Sequence, residues 1–264
     1  MSLVFAAITP HPPLLIPTIG KNELKKINAT KKALEKLEED IYLSKPDIII
    51  IISPHGSYFT DAFTLNINAD FETDLREFGD LATKTVFKGD MNLSSYIRES
   101  SKEQKFPTAV ISEKKIDHGA SVPLFYLTPH LPNISLIPLG FSGLDWKTHV
   151  SFGNMIRECI SESSKRVAVI ASGDLSHALK TESPAGFNQA GVEFDKKIQE
   201  LLSTNNLAGM MQMNKQFIED AAECGFRSFL ILGGILNNTN FNFQNYSYEC
   251  PFGVGYLVAN FVLN

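Results

Sequence analysis

Five consecutive isoleucines, Ile48–Ile52, set between Asp47 and Ser53, constrain this chain more than any other feature. A β-branched run crowds a helix but suits a strand, and a strand with no polar side must be covered on both faces. It is far too short for the roughly 20 apolar residues that cross a bilayer. Helices are therefore expected above and below a sheet. The preceding segment agrees. Leu3–Thr9 reads as a buried strand, and Asn22 can cap a helix in which Leu24, Ile27, Leu34, Leu37 and Ile41 recur at helical spacing and which ends near Lys45, before Pro46. Strand, helix, strand is a βαβ unit of the usual right hand.

The same logic extends along the chain. Phe63–Asn68 alternates as a half-exposed strand would, and Thr83–Lys88 is expected to pair with it. Ala109–Ser112, Ile134–Leu139, Arg166–Ala171 and Gly253–Leu263 are strand candidates. Helices are expected around Ser151–Ser163, over Phe187–Leu202 and over Ala222–Leu236. The fold predicted for residues 1–264 is one α/β domain with a central mostly parallel or mixed sheet flanked by helices, its active site at the carboxyl ends of the strands.

Composition narrows the function classes. Against 29 acidic side chains stand 24 basic ones, a net charge of −5, with no basic cluster to follow a phosphate backbone, so nucleic acid is not expected as a partner. Three cysteines, Cys159, Cys224 and Cys250, have no CxxC spacing and point to neither a disulfide framework nor a zinc knuckle. The apolar stretch Leu3–Ile8 lacks the preceding positive charge of a signal peptide. A cytoplasmic protein without a membrane span is the expectation.

Six histidines carry most of the functional information. The strand at Leu3–Thr9 runs out into Pro10-His11-Pro12-Pro13, that at Asp47–Ser53 into Pro54-His55-Gly56, and that at Arg166–Ala171 into Ser172-Gly173-Asp174-Leu175-Ser176-His177. In a parallel sheet those ends share one rim, so His11, His55 and His177 are predicted to meet. His118 joins them from a loop, with Asp117 beside it to orient an imidazole. His130 and His149 follow no buried strand and read as structural. Two imidazoles make a poor metal site alone, and Asp174, Glu223, Cys224 and Glu249 are the candidates to complete it. Tyr58, Phe59, Phe141 and Trp146 are candidates to line an aromatic pocket, and Gly253-Val254-Gly255 reads as close backbone approach rather than a dinucleotide loop.

Together Thr9-Pro10-His11-Pro12-Pro13, Ser53-Pro54-His55-Gly56, Asp117-His118-Gly119 with Val122-Pro123-Leu124, Ser172 to His177 and Glu223-Cys224-Gly225 resemble the class III extradiol dioxygenases of the protocatechuate 4,5-dioxygenase type. Tyr248-Glu249-Cys250-Pro251-Phe252-Gly253-Val254-Gly255-Tyr256 brings the likeness closest to the Memo-like branch of the AmmeMemoRadiSam system. The resemblance implies a mononuclear Fe(II), with zinc as a substitute, held by His11, His55 and Glu223, the last preferred because it keeps the following helix in phase with the family pattern. Memo-like relatives use a cysteine there, which keeps Cys224 in play. It also implies His177 as acid/base, with His118 and Asp174 as further catalytic residues, and ring cleavage of a small catecholic or aminophenolic substrate by dioxygen. The alternative it implies is a metal-binding or interaction protein that cleaves no ring. A homo-oligomer or a second subunit is the partner it suggests.

Overall fold

The computed structural model describes residues 2–264. From β1 (Leu3–Thr9) the chain passes through α1 (Pro17–Gly20) and a 3-10 segment into α2 (Asn28–Ser44) and back to β2 (Ile48–Ser53). Short strands follow: β3 (Phe63–Asn66), β4 (Asp70–Thr73) and β5 (Val86–Gly89). Next come α3 (Met91–Glu103), β6 (Thr108–Ile111), β7 (Lys115–Ile116) and α4 (His118–Leu127). Then β8 (Ser135–Gly140), α5 (Trp146–Glu162) and β9 (Val167–Ser172) complete the central sheet. The remainder is α6 (Gln189–Ser203), α7 (Leu207–Met211), α8 (Lys215–Asp220), α9 (Phe226–Leu236) and the hairpin of β10 (Phe241–Glu249) and β11 (Tyr256–Leu263).

All eleven strands form one mixed sheet in the order β10-β11-β1-β9-β2-β8-β5-β4-β7, with β3 and β6 branching from β8. Its centre, β1-β9-β2-β8, is parallel, and the register aligns Thr9 with Ser172 and Ser53 with Gly140. The isoleucine run explains the layering. Ile48, Ile50 and Ile52 face a core shared with Phe152 and Ile156 of α5 and Phe229 of α9. Ile49 and Ile51 face the other core, with Leu34 and Leu37 of α2 and Val122 of α4. Period-two alternation thus feeds two cores from one uniformly apolar strand. No helix among the described residues is long and apolar enough to cross a membrane.

Several elements differ from the sequence expectation. The regular part of α2 starts at Asn28, because Glu249 from the end of β10 accepts the Thr30 amide and hydroxyl at 2.6 Å and caps the helix from a distant segment. That carboxylate is a cap and not a ligand. β3 is buried throughout, its Asn66 exchanging two 2.9 Å hydrogen bonds with the Glu113 backbone. β5 pairs with β4 and β8 rather than β3. His118 opens a helix capped by Asp117 instead of lying in a loop; Pro123 inside that helix masked it. α5 starts at Trp146 and α9 only at Phe226. β4 is four residues long with a single large apolar side chain, Phe71, whereas β10 alternates Phe241, Phe243, Tyr246 and Tyr248 with polar residues across a register shift between Asn245 and Ser247, a strand signature the sequence expectation passed over.

Asp195 of α6 ties the late elements together. It is 2% exposed, accepts the Ser176 amide at 2.8 Å and the Tyr248 hydroxyl at 2.7 Å, and a Cβ on Gly255 would meet its Oδ2 at 2.1 Å. Burial pushes its carboxyl up from 3.8 to about 6. Folded protein therefore holds more protons here than unfolded protein between pH 4 and 6, and stability falls as pH rises through that window, by on the order of 2–3 kcal/mol. Asp195→Asn, whose amide can serve both partners, is expected to remove that share of the pH dependence. Urea denaturation of both proteins from pH 4 to 7 measures it; a wild-type-minus-variant difference that stays flat across the range would refute the assignment.

Candidate metal centre

The parallel register brings the loop after β1, the loop after β2 and the loop after β9 to one rim, and there the histidines converge. His11 Nε2 and His55 Nε2 are 2.9 Å apart, and donor atoms of His11, His55 and His118 all lie within 4.8 Å of one another. His11 is 2% exposed, whereas part of the His55 ring reaches solvent. Burial, reinforced by the neighbouring imidazoles, holds His11 well below the ordinary histidine range, and the same causes bring His55 down to about 4. Burial lowers His118 and His177 as well. Around neutral pH the cluster is uncharged and rich in lone pairs.

Hydrogen bonding fixes where those lone pairs point. Ser172 Oγ donates its only proton to the Gly119 carbonyl at 2.5 Å, so at the 2.9 Å contact with His11 Nδ1 it can only accept. His11 is thereby locked as the Nδ1–H tautomer with Nε2 free. His177 is set the same way: Nδ1 lies 2.8 Å from the Ala222 carbonyl, which only accepts, leaving Nε2 as a base. Ala222 holds φ +51°, a left-handed conformation that costs a non-glycine residue energy, and its carbonyl also takes the His177 amide at 3.2 Å. Asp174 lies between these two histidines. Its Oδ1 accepts the His11 amide at 2.9 Å, its Oδ2 is 3.9 Å from His177 Nε2, and burial raises its carboxyl to about 7.

The two adjacent candidates for the third donor, Glu223 and Cys224, are placed differently. Glu223 Oε2 accepts the Phe226 amide at 2.5 Å and so caps α9; the clustered donors are those of His11, His55 and His118, and neither Glu223 nor Cys224 is among them. Because α9 starts four residues later than Ala222, the position next to Glu223 turns inward instead. Cys224 Sγ stands 3.7 Å from His11 Nε2. Gly173 and Gly225 make this approach possible, since a Cβ on Gly173 would fall 2.1 Å from the Gly225 Cα. His118 stacks on His55 with ring centroids 4.3 Å apart and 23° between planes. Asp117 does not orient it: that carboxylate accepts from Ser53 Oγ at 2.5 Å and from the Ala120 amide at 3.2 Å.

This donor set fits a metal ion. Two neutral imidazole nitrogens 2.9 Å apart leave room for a single shared proton or one cation, and burial disfavours the proton. Metal–nitrogen bonds of about 2.1 Å and a metal–sulfur bond of about 2.3 Å put adjacent ligands about 3.0 Å (N to N) and about 3.1 Å (N to S) apart at a right angle, and about 3.4 Å and about 3.6 Å apart at the tetrahedral angle. The 2.9 Å contact at His55 matches the right-angle spacing, and the 3.7 Å contact at Cys224 the tetrahedral one. His118, stacked on His55, offers a further imidazole within 4.8 Å of the other two donors. A cavity of about 750 Å³ opens next to His55 and Asp117, with Ser57, Asn66, Arg76 and Glu113 in its lining.

The other candidates fall elsewhere. His149 is buried and holds a turn, its Nδ1 donating to the Asp145 carbonyl at 2.8 Å; His130 sits at the surface 2.9 Å from Glu38. Phe141 and Trp146 gather around Arg227, while Tyr58 and Phe59 are exposed. Ser172 and Ala222 carry no sequence signal of their roles beyond the adjacency of Ser172 to the Gly-Asp step.

A family model described as the catalytic LigB subunit of aromatic ring-opening dioxygenase matches residues 5–259. Protein CA_C1420 of Clostridium acetobutylicum is 32% identical over 265 residues, covering 97% of this chain; the chain spans 57% of that relative's length. The 2-aminophenol 1,6-dioxygenase alpha subunit of a Pseudomonas species is 26% identical, with 99% of both chains covered. Among solved structures, the uncharacterized protein JW3007 from Escherichia coli K12 superposes with a TM-score of 0.67 at 16% identity, over 98% of this chain and 99% of that one, a likeness of fold.

Proposed function

This chain belongs to the family of catalytic LigB subunits of aromatic ring-opening dioxygenases, and on that premise we propose that it is a metal-dependent extradiol dioxygenase that opens the ring of a small catechol or aminophenol with dioxygen. The observation that carries the proposal is the facing pair of His11 and His55 Nε2 atoms at 2.9 Å, with Cys224 Sγ 3.7 Å from the first. His11, His55 and Cys224 would hold the ion, Fe(II) by the family's chemistry with zinc as a substitute. When bound, it supplies Lewis acidity and open coordination positions for substrate and dioxygen.

The chain's own residues do the rest. His177, neutral and with Nε2 free, takes a hydroxyl proton from the diol, and Asp174 alongside stabilises the imidazolium that results. His118 stands against His55 and Phe78, where it walls the reacting face and can donate to charge that develops on an oxygen. The cavity at His55 and Asp117 receives the ring. Ser172 keeps His11 in its ligating tautomer. Ser172→Ala is expected to weaken metal affinity about 10- to 100-fold, the usual cost of losing a partner that orients a ligand, with the fold intact. Calorimetric metal titration reads it, and an unchanged affinity would contradict the tautomer lock.

Oxygen uptake after anaerobic Fe(II) loading, over a panel of catechols and aminophenols, tests the activity. Uptake coupled to the yellow product of ring opening supports it, and tight metal binding without uptake on any substrate overturns it. The sulfur of Cys224 favours a second reading, a Memo-like metal-binding protein without ring cleavage, because ring-cleaving relatives are expected to use a carboxylate there. Separate alanine replacements at Cys224, Glu223 and His118 identify the third donor. Assembly with a second copy or a second subunit, and a cytoplasmic location, are part of this proposal.

A further inference from the structure

Asp117 and Ser53 meet between the segments that carry His55 and His118. Ser53 ends β2, two residues before His55, and Asp117 directly precedes His118, the first residue of α4. Ser53 Oγ donates to Asp117 Oδ1 at 2.5 Å, and the His55 amide points back at the same hydroxyl from 3.4 Å. Asp117 Oδ1 also accepts the Ala120 amide at 3.2 Å, which caps α4. One carboxylate oxygen therefore joins the strand end behind His55 to the helix turn behind His118. It acts on the backbone that carries each ring rather than on the rings.

The junction has no slack. A Cβ on Gly119 would fall 2.5 Å from Ser53 Oγ, 2.9 Å from Asp117 Oδ1 and 3.2 Å from Pro54 Cδ. One on Gly56 would meet Asp117 Oδ2 at 3.3 Å. From the other side, the Gly119 carbonyl takes the proton of Ser172 Oγ, the hydroxyl that sets the His11 tautomer. Hydroxyls from the ends of two neighbouring parallel strands, β2 and β9, thus hold the turn of α4 that presents His118. Burial raises the Asp117 carboxyl above its ordinary value, so the position favours an acceptor of this shape more than a charge. Asparagine caps a helix as well as aspartate does and offers the same oxygen.

We propose that Asp117, held by Ser53, is a positioning residue that sets the stack of His55 on His118, with ring centroids 4.3 Å apart, and through it the spacing of the imidazoles at the metal site. The proposal rests on the metal-site reading for its effect on affinity and on the stack alone for its effect on the rings. The test compares wild type with Asp117→Ala, Asp117→Asn and Gly119→Ala, each first shown to be folded by circular dichroism. Asp90→Ala is the control: Asp90 caps α3 through the Leu93 amide at 2.8 Å, so it loses the same kind of cap at a helix that carries no histidine. Proton NMR of the metal-free proteins reads the stack, because each imidazole lies in the ring current of the other. The two ring signals are assigned by replacing each histidine in turn, and calorimetric titration with zinc reads the site.

Asp117→Ala and Gly119→Ala are expected to shift the ring signals of both histidines and to bind zinc about 10- to 100-fold more weakly, the usual cost of losing a group that orients a ligand. Asp117→Asn should keep the wild-type signals and stay within about 3-fold of wild-type affinity, and so should Asp90→Ala. Unchanged ring signals in Asp117→Ala, or a loss of affinity in Asp90→Ala as large as in Asp117→Ala, would overturn the positioning role. Ring signals that shift in Asp117→Ala while no protein of the set, wild type included, binds zinc would support the hold of Asp117 on the stack and overturn the metal-site reading instead.

Discussion

His55→Ala is expected to lower divalent-metal affinity by at least about 100-fold, since losing a ligand costs no less than losing a group that merely orients one. Folding should hardly change. His55 lies beyond the end of β2, part of its ring is in solvent, and its recorded side-chain contacts are to His11 and His118 rather than to either core. Surface replacements of this kind shift stability within about 0.5 kcal/mol. Removing it also relieves His11, whose low basicity owes part of its depression to His55. Metal content of the purified variant, metal titration by calorimetry and a urea melt read the three consequences. Wild-type affinity in His55→Ala would remove the pair of facing nitrogens from the metal site and with it the proposed function.

His177→Gln is expected to separate metal binding from turnover. Metal content should stay at the wild-type level, because the His177 ring is tied to the Ala222 carbonyl and to Asp174 rather than to the donors His11 and His55. The maximal rate with a ring-opening substrate should fall by about 10²- to 10⁴-fold, the range for loss of a positioned base. The pH profile adds a sign. Burial lowers the His177 imidazole below its ordinary value, so the base is already deprotonated at neutral pH. The acidic limb of the wild-type rate should therefore lie below pH 6.5, and His177→Gln should lose that limb altogether. A variant that keeps its acidic limb would assign the base to another group.

Much of the site was legible because it follows from strand ends. Apolar runs at β1, β2 and β9 have abrupt stops, and residues immediately after a stop in a parallel sheet share a rim, which brought His11, His55, Asp174 and His177 together in the expected place. The layered α/β architecture followed equally from the isoleucine run. What escaped depended on exact starts and on partners far along the chain. Glu223 and Cys224 are adjacent, so a four-residue error in where α9 begins exchanges the cap for the residue facing His11. Glu249 looked like a ligand candidate until Thr30 claimed it from 219 positions away.

The sequence by itself determined the sheet, its two cores and the rim, because hydrophobic periodicity and strand ends are local properties that any stretch of a few residues displays. Only the tertiary structure decided which nitrogen His11 presents, that Cys224 faces it and that His118 stacks on His55. Each of these is settled by a hydrogen bond or a stacked ring between segments distant in the chain, and spacing along a sequence does not encode such direction.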